Sequence, residues 1–209
     1  MDDMIHDQVA CRILRRILYA LVNVTWKYLH FLLKFCSRVH SEKMSAVARE
    51  LLKKQMIELH RDETSGFSVG LEDDSDWFRW RVVFEGPPDT IYYGGLFTAL
   101  LRFPDDFPNS PPEMKFETEM WHPNIYPDGR VCISILHPPG TDRFNDQERA
   151  EERWRPILGV ESILLSVISM LADPNLSSPA NIDAAVQMKG DGEGYKKKVR
   201  ALVRKSIEE

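Results

Sequence analysis

A cysteine and an asparagine eight residues apart are the side chains of this 209-residue chain best suited to covalent chemistry. They are Asn124 and Cys132, and the turn sequence Tyr126-Pro127-Asp128-Gly129 lies between them. Proline presets one backbone angle of such a turn and glycine accepts a positive one, so we expect the chain to reverse and bring Asn124 close to Cys132. This pair suits acyl transfer, because a thiolate can carry the acyl group and an amide N–H can bind the oxyanion that forms.

Other interpretations of Cys132 are less well supported. A lone cysteine is often a buried, inert core thiol, but the adjacent turn and Asn124 favour an accessible nucleophile. No Cys-x-x-Cys or Cys/His ligand spacing surrounds Cys132, so the sequence predicts no metal site there. The other cysteines, Cys11 and Cys36, add no disulfide pattern, which favours a reducing compartment such as the cytoplasm or nucleus.

The motifs around this pair resemble those of the ubiquitin-conjugating (E2) enzymes. His122-Pro123-Asn124 precedes Cys132 at the spacing of that family, and Trp154 follows. Three further motifs stand in the family's order: Gly86-Pro87-Pro88, Phe107-Pro108-Asn109-Ser110-Pro111-Pro112 and Ala172-Asp173-Pro174-Asn175. The resemblance covers roughly Met44 to Glu209. It implies an α+β fold with a four-stranded antiparallel meander sheet flanked by helices.

The resemblance also implies an activity and its partners. The chain would accept ubiquitin from an E1 activating enzyme as a thioester on Cys132 and pass it to lysines of protein substrates with a RING-type E3 ligase. Asn124 would stabilise the oxyanion, while His122 and Pro123 would hold the loop. No base for the thiol is assigned, because thiol exchange needs only an accessible, partly ionised sulfur. No cofactor is expected, since ATP is consumed by the E1 and the chain has no phosphate-loop motif.

The segment after Cys132 is longer than in compact members of the family. The stretch Ser134–Gly140, which reads SILHPPG, resembles the active-site insertion of the G-type subgroup. That subgroup is associated with endoplasmic-reticulum-associated degradation and with building polyubiquitin chains. The resemblance therefore implies the same pathway and product for this chain.

The residues that would position the acceptor lysine depart from the family pattern. Relatives often carry two adjacent acids after the insertion motif, where this chain has Thr141-Asp142, and many carry an acid before a later proline, where it has Ser178. Lysine positioning is therefore assigned to His137 or Asp142, because a carboxylate can hold or accept the proton of an amine. A loop-ordering role is the alternative for His137. A mobile, solvated loop is the alternative for the remaining acids of the insertion: Asp146, Glu148, Glu151 and Glu152.

A proline-rich loop over Phe103–Pro112 is unsuited to a helix or a central strand. The resemblance implies a ligase-binding surface formed by this loop and by a second one, with these residues: Pro108, Asn109, Ser110, Trp154 and Pro156. The family often has an aromatic or aliphatic residue where this chain has Asn109. We therefore expect its ligases to differ from those of other members.

Residues 1–43 are predicted to form a basic amphipathic extension, and residues 44–209 the conjugating domain. All charged residues within Arg12–Arg38 are basic. One helical stripe opposite a broad apolar face is formed by the polar set Arg12, Arg16, Asn23, Lys27, His30, Lys34 and Arg38. Lys27 and Lys34 interrupt the apolar run, which disfavours a membrane-spanning helix. A helix lying on a membrane surface or against a partner, through residues 12–38, is favoured over a spanning helix. A segment with no role in the chemistry is the alternative.

Sequence periodicity predicts the elements that position the site. Helices are predicted over Met44–His60, Gly159–Leu171, Asn181–Met188 and Tyr195–Ile207, and strands over Gly66–Leu71, Trp77–Phe84, Leu96–Phe103 and Met114–Glu117. Asn181 is expected to cap its helix, and Lys189–Gly194 to interrupt the helical pattern.

Composition and charge limit the remaining possibilities. The net charge of −5 gives no overall basic surface, so no nucleic-acid partner is expected. We expect a cytoplasmic protein, at the endoplasmic reticulum surface or also in the nucleus. Three rival functions are an E2 for another ubiquitin-like modifier, a non-catalytic E2-like binding module, and a hydrolase using Cys132 and His137. The hydrolase is disfavoured because hydrolysis of the thioester would release the activated acyl group without transferring it to a substrate.

Overall fold

A four-stranded antiparallel sheet lies at the centre of the fold in a computed structural model, which describes residues 44–61, 66–140 and 148–208. Its strands are β1 (Phe67–Leu71), β2 (Arg79–Glu85), β3 (Leu96–Arg102) and β4 (Glu113–Phe116). Each strand pairs antiparallel with the next, so the spatial order is the sequence order. The predicted antiparallel meander is confirmed.

The sheet has one buried face because its sequences alternate. In β2 the side chains of Trp80, Val82 and Phe84 are fully buried, whereas those of Arg79 and Arg81 are exposed. Successive side chains of a strand point to opposite faces, so this alternation places Trp80, Val82 and Phe84 together on one side. Full burial of a side chain such as Phe84 stabilises the fold by about 1.5–3 kcal/mol.

The described part of the chain has four α-helices beside the sheet: α1 over residues 44–59, α2 (Val160–Ala172), α3 (Ile182–Gly190) and α4 (Gly192–Ser206). The buried side chains of α2 recur at helical spacing and join the same core as the buried sheet face: Val160, Ile163, Leu164, Val167, Met170 and Leu171. Gln55 of α1 accepts a hydrogen bond from the Val160 N–H at 2.7 Å, which satisfies a free donor at the start of α2.

Two predicted boundaries need correction. Strand β2 begins at Arg79 rather than Trp77, because the Asp76 carboxylate accepts the Phe78 N–H at 2.9 Å and keeps the chain in a turn. The predicted interruption over Lys189–Gly194 is confined to Asp191, since α3 ends at Gly190 and α4 begins at Gly192.

Side-chain caps explain where α3 and α4 begin. Asp191 accepts the Gly194 N–H at 2.9 Å and so starts α4 within the glycine-rich stretch. The predicted cap of α3 is confirmed, because Asn181 accepts the Ala184 N–H at 3.1 Å.

Some predictions fall on parts of the chain that the structure does not describe. These are the extension over residues 1–43, its membrane contact through residues 12–38, and the loop residues Asp142 and Asp146. They stay predictions. Among residues 44–61, 66–140 and 148–208, no helix is long and apolar enough to cross a membrane.

Candidate active site

The predicted turn brings the asparagine and the cysteine together. The Gly129 N–H donates to the Tyr126 carbonyl at 2.9 Å, and the Cys132 N–H donates to the Asn124 carbonyl at 3.0 Å. Gly129 has a φ of 90°, and a Cβ there would lie 2.3 Å from the Phe116 carbonyl oxygen. Only glycine fits both demands, so this residue fixes the reversal that the sequence predicted.

The side chain of Asn124 is held by the backbone of Asn175. Its oxygen accepts the Asn175 N–H and its Nδ2 donates to the Asn175 carbonyl, both at 2.8 Å. Asn124 is 3% exposed, so these bonds satisfy a buried amide. These bonds give Asn124 a structural role, which the sequence allowed in addition to a chemical role. An amide nitrogen carries two hydrogens, so the bond to the Asn175 carbonyl uses one of the two N–H donors of Asn124.

His122 is fully buried and electrically neutral. Its Nδ1 accepts the Asn124 N–H at 2.9 Å, so its proton lies on Nε2, which donates to the Met170 carbonyl at 3.0 Å. Burial lowers the pKa of His122 to about 4, because the imidazolium loses its hydration. The neighbouring Pro123 carbonyl accepts the Asn181 N–H at 2.9 Å. These contacts fix the loop that carries Asn124.

A pair of tyrosines that the sequence did not single out fixes the start of this loop. The hydroxyls of Tyr92 and Tyr195 donate to the Trp121 carbonyl at 2.9 and 3.1 Å and lie 3.0 Å from each other. Burial raises the pKa of both phenols, which keeps both hydroxyls protonated. Trp121, the residue before His122, is thus held by Tyr92 from the loop before β3 and by Tyr195 from α4.

His137 lies beside the thiol. Its Nε2 is 3.7 Å from the sulfur of the half-buried Cys132, and the Tyr126 hydroxyl is 4.0 Å from that sulfur on another side. The hydrogen bond from His137 lowers the pKa of Cys132 below its ordinary value, although burial opposes this. The same bond raises the pKa of His137. The pair therefore favours a thiolate next to an imidazolium.

A buried carboxylate orients His137. The His137 Nδ1 lies 2.7 Å from Glu148 Oε1, and Arg153 donates to Glu148 Oε2 at 2.7 and 3.0 Å. Burial works against ionisation of Glu148, but hydrogen bonds from Ser134, His137 and Arg153 outweigh it and lower the pKa of this carboxyl. Arg153 also donates to the Pro138 carbonyl at 3.2 Å. The result is a continuous chain of contacts from the sulfur to a guanidinium.

This arrangement corrects one interpretation of the insertion. A mobile, solvated loop does not describe Glu148, because its side chain is only 5% exposed and that of its partner Arg153 only 8%. A buried charge is stable only when it is paired, and Arg153 supplies the pair. Glu151 and Glu152 are exposed, as that interpretation expected.

The sulfur of Cys132 borders two grooves. One, of about 280 Å³, is also lined by Asn124, His137, Glu148, Asn175 and Ser178. The other, of about 260 Å³, is lined by Tyr126, Arg130 and Glu113, and again by His137. Cys132 and His137 therefore line both grooves.

Similarity to known proteins shows the family of this chain. The model of the family described as ubiquitin-conjugating enzyme matches residues 51–203, more than half of the chain. This chain belongs to the ubiquitin-conjugating enzyme family.

Individual relatives agree with this assignment. The chain is 55% identical over 164 residues to ubiquitin-conjugating enzyme E2 15 of Schizosaccharomyces pombe, which covers 78% of this chain and 98% of that protein. It is 57% identical over 159 residues to a probable ubiquitin-conjugating enzyme E2 7 of Caenorhabditis elegans, which covers 76% and 96%. A solved structure of human ubiquitin-conjugating enzyme E2 G1 is 54% identical and matches with a TM-score of 0.54, covering 61% of this chain and 96% of that one. The predicted E2 fold is confirmed.

In this ubiquitin-conjugating enzyme, the residues predicted to bind a ligase differ in exposure. Asn109 and Pro156 are exposed, and Pro108 and Ser110 are partly so. Ser110 is tied to the Asp106 carboxylate at 2.7 Å. Both loops therefore offer accessible side chains at the predicted positions.

Trp154 has a different place in this enzyme. Its side chain is fully buried, so it offers no surface of its own to a ligase. Its indole N–H donates to the Pro108 carbonyl at 2.7 Å, and its backbone N–H donates to the His137 carbonyl at 3.1 Å. Trp154 thus supports the predicted ligase surface from below and joins it to the residue beside the thiol.

Proposed function

We propose that this enzyme receives ubiquitin from an E1 activating enzyme as a thioester on Cys132 and transfers it to lysine side chains of protein substrates with a RING-type E3 ligase. One observation carries the proposal: a half-buried thiol of lowered pKa, in a residue that lines two grooves, lies 3.7 Å from a histidine in a member of this family. Thiol exchange proceeds through the thiolate, which this environment favours.

The flanks of Cys132 support the transfer step. The second N–H of Asn124 is the candidate donor to the oxyanion that forms when lysine attacks the thioester. His137 and Asp142 are the candidates for positioning the lysine and accepting its proton. We assign the thiol no separate cofactor or metal, because thioester exchange needs neither and ATP is consumed by the E1.

We further propose that the enzyme belongs to the G-type subgroup and builds polyubiquitin chains for endoplasmic-reticulum-associated degradation. The insertion motif in Ser134–Gly140 and the 54% identity to human ubiquitin-conjugating enzyme E2 G1 support this assignment. Residues 12–38 would then contact the cytoplasmic surface of the endoplasmic reticulum, and a nuclear pool is compatible with the same chemistry.

The proposed ligase surface consists of the exposed loop residues Asn109 and Pro156 with Pro108 and Ser110 between them. Trp154 holds this surface by its bond to the Pro108 carbonyl. Because Asn109 replaces the aromatic or aliphatic side chain of many relatives, we expect a ligase that offers it a polar partner.

A loading assay tests the proposal. The chain is incubated with E1, ATP and ubiquitin and run on a non-reducing gel, in parallel with another ubiquitin-like modifier and its own activating enzyme. We expect one adduct, only with ubiquitin, that reducing agent removes. Cys132→Ala should abolish it, whereas Cys11→Ala and Cys36→Ala should not.

Other outcomes point to the rival functions. An adduct with the other modifier alone would contradict the donor that we propose. The absence of any adduct would contradict the whole proposal and favour a non-catalytic binding module.

A further inference from the structure

The contacts beside the thiol form a relay of the kind used by acyl-transferring enzymes with an activated nucleophile. Cys132, His137 and Glu148 follow one another with a sulfur-to-Nε2 distance of 3.7 Å and an Nδ1-to-oxygen distance of 2.7 Å. Nucleophile, base and orienting group stand in that order in such relays. An amine acceptor depends on such a base less than a hydroxyl acceptor does, so the arrangement also suits a second class of acceptor.

The hydrogen bond with Glu148 fixes the tautomer of the neutral His137 ring. A carboxylate only accepts hydrogen bonds, so Glu148 holds the proton of His137 on Nδ1. In the neutral imidazole, Nε2 then carries a lone pair that faces the sulfur of Cys132. Once the sulfur is acylated it has no proton to share, and this lone pair lies beside the new carbonyl carbon, free to accept a proton from an incoming nucleophile.

Amine and hydroxyl acceptors differ in their need for such a base. A lysine, with an ordinary pKa of about 10.4, presents a nucleophilic lone pair as soon as its ammonium has lost one proton to water. A hydroxyl keeps its proton at neutral pH and must lose it as it attacks. General-base catalysis therefore matters far more for ester formation than for amide formation, and is typically worth about 10²–10⁴-fold.

We propose that this enzyme also transfers ubiquitin from Cys132 to the hydroxyl groups of serine or threonine side chains, with His137 as the general base. His137 Nε2 takes the hydroxyl proton while the oxygen bonds to the thioester carbonyl carbon. The carbon–sulfur bond then breaks, and the sulfur leaves as a thiolate beside the imidazolium that now holds the hydroxyl proton. The products are a ubiquitin ester and the unloaded Cys132–His137 pair. The inference rests on the proposed function, because it uses the same thioester.

The groove next to the sulfur is compatible with an uncharged acceptor. Ser178 lines it at the position where the resembling enzymes carry an acid, and Asn124 and Asn175 are neutral neighbours. Two exposed carboxylates, Asp173 and Glu152, also line this groove and remain available to a lysine. Among the residues that the structure describes, the polar group nearest the sulfur is nevertheless the His137 imidazole, at 3.7 Å.

Glu148 acts in this scheme as a positioning residue, because it touches His137 and not the reacting atoms. Its second oxygen is held by Arg153 at 2.7 and 3.0 Å, which keeps the carboxylate ionised and in place. The backbone of His137 is fixed as well, since its carbonyl accepts the Trp154 N–H at 3.1 Å. The base is therefore held from both its ring and its main chain.

A discharge assay on the full chain tests the inference. The enzyme is loaded with ubiquitin, ATP is removed, and either N-acetyl-threonine amide or N-acetyl-lysine amide is added. Reducing agent then removes the remaining thioester, and intact mass measures the product. Hydroxylamine at neutral pH cleaves an ester and leaves an amide, which identifies the bond. We expect both products from the unsubstituted enzyme.

The variants separate a base from a structural support. We expect His137→Asn to lower the rate of ester formation by about 100-fold or more and that of amide formation by about tenfold or less. Glu148→Gln should shift the ester-to-amide ratio in the same direction, and Glu148→Asp should restore most of it. A purely structural role would lower both rates together. The matched control is Glu151→Gln, an exposed glutamate of the same loop, which should leave loading and both rates unchanged.

Three results would overturn the inference. They are amide without any ester from the unsubstituted enzyme, hydrolysis to free ubiquitin as the only His137-dependent reaction, and an equal loss of both products in His137→Asn. Failure of Cys132 to load at all would be a different result. It would overturn the proposed function itself, and this inference with it.

Discussion

The two flanks of Cys132 are held by different forces. On the side of the His122–Asn124 loop, the hydrogen bonds join neutral groups, and the side chains are buried. On the side of His137, the contacts run through an ionised carboxylate to a guanidinium. Hydrogen bonds between neutral groups do not change with pH near neutrality. The strength of a charged network, by contrast, depends on whether each of its members is ionised. The first flank thus suits a fixed donor of hydrogen bonds, and the second a group that exchanges protons.

The largest effect on stability is expected from the charged flank. Arg153→Ala leaves the carboxylate of Glu148 buried without its guanidinium, so we expect a loss of about 3–5 kcal/mol in the free energy of unfolding. Urea denaturation measures it. Lys196→Ala removes the cation of an exposed pair with Glu193 and should change the free energy of unfolding far less. The double variant Arg153→Ala with Glu148→Ala should recover part of the loss. If it does not, the unpaired charge is not the cause.

The neutral flank should show its largest effect in catalysis. If the second N–H of Asn124 binds the oxyanion, Asn124→Ala should lower the rate of transfer to lysine by about 10²–10³-fold while loading of Cys132 continues. Asn175→Ala is the matched control, because it keeps the backbone groups that hold Asn124 and should change the rate by less than about fivefold. Single-turnover discharge measures both. Equal losses in the two variants would mean that only the loop geometry matters.

The contrast between the flanks also explains what the sequence could predict. The approach of Asn124 to Cys132 depends on a four-residue turn, and the cap of α3 depends on Asn181 and its own first turn. Turns and helix caps strongly prefer a few residue types, so these features can be predicted from the local sequence. The alternation of β2 likewise follows from its own residues, Arg79–Glu85.

Contacts between distant residues left no comparable signal. Tyr92 and Tyr195 are 103 positions apart in the sequence. They meet because the loop before β3 and helix α4 both pack next to the Trp121 carbonyl. Glu148 lies in a loop with several acids, and nothing in their spacing distinguishes the one that meets His137. For such residues the tertiary fold decides, so sequence patterns alone miss them.

Lowering the pH should weaken the neutral flank through His122. Its pKa is about 4 in the folded protein, below the ordinary value of 6.5, so the unfolded chain binds more protons between these values. The contribution to stability is fully present above pH 6.5 and is lost as the pH falls toward 4. We expect a loss of about 2 kcal/mol from this group at pH 5, measured by urea denaturation. NMR of the imidazole nitrogens should show a neutral ring with its proton on Nε2 at pH 5. An imidazolium there would contradict the assignment.

The smallest effect is expected where two donors share one acceptor. Tyr195→Phe removes one hydroxyl from the Trp121 carbonyl, which keeps its bond from Tyr92 at 2.9 Å. No buried acceptor is left without a partner, so the loss should be that of one hydrogen bond, about 0.5–1.5 kcal/mol. Tyr93→Phe, at a position that is 69% exposed, should change stability by less than about 0.5 kcal/mol. Because the carbonyl before His122 keeps one donor, transfer to lysine should stay within about twofold of the unsubstituted enzyme in Tyr195→Phe. A larger loss of activity than of stability would mean that both hydroxyls are needed to place Asn124.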